Sequence, residues 1–292
     1  MKYDVIIIGM GIAGVSAAIY AKQANKKVLI LEGGAPGGLL NNIDKVTNYA
    51  GIDEITGPDL AVKLFDQIVA NSIEYKLEKV ESINPFNEYK EINTKSSKFQ
   101  TKNIIIATGR SPKLLGLENE EKFLGKGIST CALCDGNFYK EKEIAVIGSG
   151  NSALQEALYL ANIAKKVHLV VKRRSFVIET ELVSKVKSKS NIEIHYESFV
   201  ENLIITDEKI TGLKLNNEEI NINGVFIYAG YKPNTEFLKE LNILNTQSYI
   251  EVDKNLETNI EGVFAIGDVI KKDIYQLVSA AADGARVVGK LK

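Results

Sequence analysis

The strongest constraint on this chain is a short pattern that occurs twice with the same flanks. In the first copy, Tyr3–Ile8, β-branched from Val5 onward, reads as a strand buried in a parallel sheet. Gly9, Gly11 and Gly14 follow as G-x-G-x-x-G around Met10, Ile12 and Ala13, and a helical stretch then leads to a second strand that closes on Glu32. These residue types have separate tasks. Gly9 permits the tight turn, Gly11 lets backbone approach a pyrophosphate, and Gly14 lets the helix pack on the strand. The free amides at the helix start then favour the phosphates, and an acid at the position of Glu32 accepts bonds from a ribose. The second copy runs from the strand Glu143–Ile147 through Gly148, Ser149, Gly150, Asn151, Ser152 and Ala153 into LQEALYLANIA and the strand KKVHLVV. An offset of 148 − 9 = 139 aligns the copies without a gap, placing Tyr20 on Tyr159 and Val28 on Val167. Two dinucleotide-binding units predict two bound nucleotides and an α/β fold of two Rossmann-like domains.

The copies differ where nucleotide choice is made. Glu32 aligns with Val171, and Lys172, Arg173 and Arg174 follow in place of Gly33 and Gly34. A carboxylate there accepts from a 2′-hydroxyl and repels a 2′-phosphate, whereas arginine clamps the phosphate. The first unit therefore suits FAD or NAD and the second NADP. Of 36 basic residues only Arg110, Arg173, Arg174 and Arg286 are arginine, so an adjacent pair points to a need for bidentate geometry. The competing reading is a solvated charge run after a strand.

At 292 residues the chain is long enough for two domains. TGPDLAVKLFDQIVANS is predicted helical, with Pro58 early in it. Tyr75–Lys102 alternates like a small antiparallel sheet ahead of a separate buried strand, NIIIATG. Short strands from Asn191 to Tyr228 repeat that layout, and GVFAIGD is a last buried strand running into Gly267 and Asp268, before a helix from about Gln276. A net charge of −1 gives no footprint for nucleic acid or an anionic membrane. No apolar run has the length of a membrane span. The apolar run after Lys2 is too short and too soon met by glycines for a signal peptide, so a reducing cytoplasm is expected.

Cys131 and Cys134, the only cysteines, stand three apart in CALCDG. A structural zinc site needs four N/S ligands. The other candidates, His168 and His195, lie 27 apart in predicted strands, which is no zinc-knuckle spacing, so no metal is expected. Two inert buried thiols are a second reading. A redox dithiol is favoured, because C-x-x-C beside βαβ units lowers a thiol pKa and cycles with a disulfide. Asp135 is then a candidate proton donor to the leaving thiolate, or simply a turn residue before Gly136.

The ordered set GMGIAG, LEGG, PGG, NYAG, IIIATG, CALCDG, GSGNSA, KRRSF, GYKPNT and GVFAIGD resembles the low-molecular-weight thioredoxin reductases, class II of the pyridine nucleotide-disulfide oxidoreductases, over essentially the whole chain. The resemblance implies an FAD domain split into residues 1–113 and 237–292, with a three-layer ββα NADPH domain at 114–236 inserted between. It implies a homodimer that passes electrons from NADPH through FAD to a Cys131–Cys134 disulfide and on to thioredoxin. In the family Cys134 faces the flavin, Cys131 attacks the partner and Asp135 is the acid, and the inserted domain rotates between two orientations. By position, FAD falls to Gly9, Gly11, Ile12, Ala13, Gly14, Glu32, Gly33, Gly38, Leu39, Asn48, Val80, Ala107, Thr108, Gly109, Gly267, Asp268, Gln276, Leu277 and Val278. NADPH falls to Gly148–Ala153 with Arg173 and Arg174. Five places depart from the family: Lys172 replaces a histidine, Val177 and Ile178 stand where a further arginine is usual, Ser149 replaces a glycine, Leu39 a glutamine and Tyr275 an arginine. The first three bear on NADPH, so a ferredoxin-dependent flavin thioredoxin reductase of the same fold is the alternative.

Overall fold

A computed structural model describes residues 2–43, 45–86, 88–176 and 181–291. Val177 and Ile178 lie outside the described residues. The chain forms two compact units, Met1–Ser111 with Lys232–Lys292, and Pro112–Tyr231.

The first unit opens with β1 (Lys2–Ile8), α1 (Ile12–Gln23), β2 (Val28–Leu31), α2 (Gly57–Ala70), β3 (Glu74–Lys76), β4 (Val80–Asn84), β5 (Lys90–Thr94) and β6 (Lys98–Ile106). The chain then runs through β7 (Arg110–Pro112), α3 (Glu120–Phe123), β8 (Ile128–Ser129), α4 (Ala132–Asp135), β9 (Glu143–Ile147), α5 (Asn151–Leu160) and β10 (Lys166–Val171). It continues with α6 (Glu181–Ser188), β11 (Ile192–Tyr196), β12 (Val200–Thr206), β13 (Lys209–Leu215), β14 (Glu219–Asn221), β15 (Gly224–Ile227) and β16 (Tyr231–Pro233). β17 (Val263–Ala265) and α7 (Leu277–Val288) complete the first unit.

In the first unit the sheet order is β3-β2-β1-β6-β5-β4, with β17 also on β6. β1 is parallel to both neighbours, Ile7 lying opposite Ile30 and Ile105, which explains its continuous apolar run. The segment expected as an antiparallel sheet followed by a separate strand is joined into one: β6 pairs antiparallel with β5 over Lys98–Thr101 and parallel with β17 over Ile104–Ile106. A single nine-residue strand can do this because its two partners occupy successive halves of the same edge. Thr56 caps α2, its Oγ1 accepting from the Asp59 amide at 3.1 Å, with Pro58 in the first turn.

Helices α1 and α7 meet almost backbone to backbone. Ser16 Oγ donates to the Ala281 carbonyl at 2.8 Å, and a Cβ on Gly284 would stand 2.5 Å from the Ala13 carbonyl oxygen and 2.7 Å from the Ala17 nitrogen. Gly284→Ala must therefore push the helices apart. The expected cost is about 1–3 kcal/mol, or a fall of roughly 2–10 °C in Tm by calorimetry, and an unchanged Tm would refute the close crossing.

The second unit repeats the plan. Its parallel sheet, β11-β10-β9-β15-β8, carries α5 and α6 on one face, where Ile144, Val146, Leu169 and Val171 pack with Leu154, Leu160 and Val186. Ala145, Ile147, Val170 and Ile227 point to the other face and pack with Leu213, Leu215 and Ile220 of the antiparallel sheet β12-β13-β14. Strand alternation thus produces the three layers, helix, parallel sheet and antiparallel sheet. The boundaries fall at 111/112 and 231/232, a few residues before those expected from sequence. The later one moves because Asn234 and Thr235 bond into the first unit, to Gly109, Thr108 and Ser248. Among the described residues no helix is long and apolar enough to cross a membrane.

Candidate active site and nucleotide clefts

Cys131 and Cys134 are joined by a disulfide, with Cα atoms 5.4 Å apart. β8 ends just before the pair and α4 starts within it, so Cys131 takes the N-cap position and the Cys134 amide donates to its Sγ at 3.1 Å. Ser129 fixes Cys131 from behind, accepting from its amide at 3.0 Å and donating to its carbonyl at 3.1 Å. Cys131 is 7% exposed, while Cys134 lies at the surface and Asp135 is half-buried. In the reduced state the amide on Sγ would stabilise a Cys131 thiolate, the form that attacks disulfides.

Tyr228, at the end of β15, was invisible to motif reasoning. Its hydroxyl accepts from the Ala132 amide at 3.0 Å and so ties the cysteine loop to the parallel sheet. Burial pushes its ionisation far above the ordinary tyrosine range, with the charge of Glu156 adding to the effect, so the hydroxyl stays neutral. The same residue floors the glycine turn, since a Cβ on Gly148 would fall 2.5 Å from the Tyr228 carbonyl oxygen.

At the C-terminal ends of β9, β10 and β15 that turn borders a cleft of about 730 Å³ lined by Gly148–Ala153, Lys172 and Tyr228 among others. Gly150 opens α5 without a side-chain cap, and a Cβ there would meet nothing within 4 Å. Open space over uncapped helix amides is what a phosphate group requires. The basic residue on the cleft wall is Lys172; Arg173 and Arg174 are exposed and outside the lining, and Arg174 Nε bonds Glu197 at 2.8 Å.

In the first unit Gly9–Gly14, Glu32 and Gly33, Ala107–Gly109, and Gly267 and Asp268 follow the C-terminal ends of β1, β2, β6 and β17, while Val80 opens β4 and Leu277 opens α7. Gly11 caps α1 with no side-chain bond and open space at its Cβ position, as Gly150 does. Gly14 could not carry a Cβ, which would fall 2.0 Å from the Gly9 carbonyl oxygen. The Glu32 carboxylate accepts from the Met10 amide at 2.6 Å and the Gly34 amide at 2.7 Å, tying the turn to the second strand. Gly9 crosses Ala107 at contact distance, Gly38 faces Gly11, and Gly33 lies against Lys79, the neighbour of buried Val80. Asn48 Nδ2 donates to Gln276 Oε1 at 3.2 Å, so two of the expected cofactor residues, 228 positions apart, meet. Thr108 and Asn234 exchange two bonds of 2.8 Å, Gly109 and Gly267 adopt positive φ, and Leu277 packs inward while Val278 stays exposed. Ile12 and Ala13 are buried, and half-buried Leu39 lies on the turn that follows Gly37.

Residues 3–285 match the family described as pyridine nucleotide-disulphide oxidoreductase. The chain belongs to that family. A thioredoxin reductase of Ureaplasma parvum is 39% identical over 296 residues, covering 97% of this chain and 93% of its own. A solved thioredoxin reductase of Lactococcus lactis, in its FR conformation, superposes with a TM-score of 0.94 at 36% identity, covering 99% of this chain and 98% of that one. A ferredoxin-flavin thioredoxin reductase of Clostridium acetobutylicum gives a TM-score of 0.55 at 31% identity, covering 99% and 96%.

In the first unit of this oxidoreductase an ion pair and an aromatic ring come together beside Gly267. Arg110 bonds Asp268 at 3.1 Å and stacks over Tyr275 at 4.0 Å, the residue standing where the family's arginine is usual. Burial raises the Asp268 carboxyl, and the charges of Arg110 and Lys272 hold it back. Arg110 is one of four arginines in the chain, the one trace of this arrangement that the sequence offers.

Proposed function

We propose that this oxidoreductase is an FAD-dependent thioredoxin reductase that draws its electrons from NADPH, working as a homodimer in the cytoplasm. The observation that carries the reading is the Cys131–Cys134 disulfide in the same unit as an open glycine-turned cleft, with the Cys134 amide aimed at Cys131 Sγ. Bound FAD supplies the two-electron chemistry that links a dihydronicotinamide to a disulfide. Gly11 and the uncapped start of α1 leave room for its pyrophosphate, and Glu32 offers the acceptor for its ribose. NADPH would be held by Gly148–Ala153, with Lys172 on the cleft wall and the exposed Arg173 and Arg174 next to it in sequence offering positive charge to the 2′-phosphate.

Once reduced, the Cys131 thiolate attacks one sulfur of thioredoxin's disulfide, forming a mixed disulfide and releasing the partner's other sulfur as a thiolate, which Asp135 can protonate. Cys134 then attacks Cys131 Sγ, closing the internal disulfide and freeing the second partner thiol. Electrons and protons balance, because one disulfide is exchanged for another.

The exposed arginines favour a second reading, in which ferredoxin supplies the electrons. Anaerobic titration separates the two. NADPH is expected to bleach the flavin at about one equivalent, and Gly150→Val, whose backbone at φ −91° and ψ 176° accepts a side chain, to keep its flavin but need about 100-fold more NADPH. Bleaching by reduced ferredoxin and not by NADPH would overturn the NADPH assignment.

A further inference from the structure

The second unit contains a buried histidine pair for which electron transfer to thioredoxin has no use. β10 and β11 lie in a register that sets His168 opposite Glu193, and His195 two residues on shares that face, beneath the antiparallel sheet. His168 Nδ1 and His195 Nε2 are 3.0 Å apart and both rings are buried, at 4% and 8% exposure. Glu193 Oε2 stands 3.7 Å from His168 Nδ1, and one ligand atom from each of the three residues lies within 4.8 Å of the others. Behind the pair, Glu218 Oε1 is 2.7 Å from His195 Nδ1 and Glu143 Oε2 is 3.7 Å from His168 Nε2.

The protons do not fit a simple neutral pair. Glu218 requires the hydrogen of His195 on Nδ1, so Nε2 of a neutral His195 is bare and must accept from His168 Nδ1–H. His168 Nε2 is then left with a lone pair facing the Glu143 carboxylate, and this buried atom has no hydrogen-bond partner. A cation between the rings resolves the conflict. With the metal on His168 Nδ1 and His195 Nε2, the His168 hydrogen moves to Nε2 toward Glu143, and each ring donates its outer N–H to a carboxylate, as metal-bound histidines do. Two nitrogens bound at about 2.0–2.1 Å to one tetrahedral zinc lie about 3.3 Å apart, close to the separation here.

We propose that His168, His195 and Glu193 form a binding site for a divalent transition metal of the zinc class, with Glu218 and Glu143 orienting the two histidines. Glu193 is exposed and its Oε2, the oxygen nearest His168 Nδ1, also pairs with Lys166, so a bound metal would share or displace that ammonium. The site is independent of the cysteines and does not rest on the thioredoxin reductase reading.

The test uses the full-length flavoprotein carrying Cys131→Ser and Cys134→Ser, so that no thiol can bind metal. After chelation it is dialysed against Zn²⁺ and the metal is counted by atomic emission. The expected result is one zinc per chain with a raised Tm, at least tenfold weaker binding in Glu193→Gln, and loss of stoichiometric zinc in His195→Gln. Glu193→Gln, a change at the surface, carries the test where His195→Gln fails to fold. Absence of stoichiometric zinc, or unchanged affinity in Glu193→Gln, overturns the proposal.

Discussion

Cys134→Ser is expected to lower thioredoxin reduction by about a thousandfold or more, the scale on which covalent nucleophiles act, while flavin content and its reduction by NADPH stay near those of the parent. The reason lies in the division of labour within the loop. Cys131 keeps the Cys134-position amide on its Sγ and the Ser129 brace, so its thiolate still attacks the partner. The sulfur that should release the partner is gone, so the mixed disulfide accumulates and is seen as one covalent adduct on a non-reducing gel or by mass spectrometry. Cys131→Ser gives equal loss of turnover and no adduct. Adduct formation by Cys131→Ser instead would reverse the roles of the two sulfurs.

Gly11→Val is expected to weaken FAD binding by at least about 100-fold, roughly 3 kcal/mol, and to leave the stability of the apoprotein unchanged. Gly11 has φ −74° and ψ 178°, a region open to any residue, and its Cβ position meets nothing within 4 Å. The side chain therefore costs the empty fold nothing and occupies space meant for the pyrophosphate. Gly14→Val differs, because a Cβ at 2.0 Å from the Gly9 carbonyl oxygen breaks the helix–strand crossing itself. Flavin loss and lower stability should come together there and separately in Gly11→Val. Purified Gly11→Val with one flavin per chain by absorbance would refute the assignment.

Much of the site was legible in sequence because its parts are local. A glycine turn joins a strand to the next helix, so Gly9, Gly11 and Gly14 are placed by their own neighbours, and the same holds for Gly148 and Gly150. The C-x-x-C pair closes within one turn of chain. The nucleotide preference read from Arg173 and Arg174 is less local, since a side chain at a strand end can turn to solvent, as both do here.

Other features depended on partners distant in the chain. Arg110 finds Asp268 across 158 positions, and the Tyr275 beneath it read from sequence as a missing arginine. The merging of an antiparallel and a parallel strand into β6 depended on β17, which arrives late in the chain. The spacing of 27 between His168 and His195 argued against a shared site, yet parallel pairing of β10 with β11 brings the two rings to 3.0 Å.

The amino-acid sequence by itself determined two dinucleotide units, their glycine turns and the redox pair, because each is set by interactions within a βαβ segment or a single turn. Only the tertiary structure decided which distant side chains share a site, because strand register and helix crossings, not spacing along the chain, set those distances.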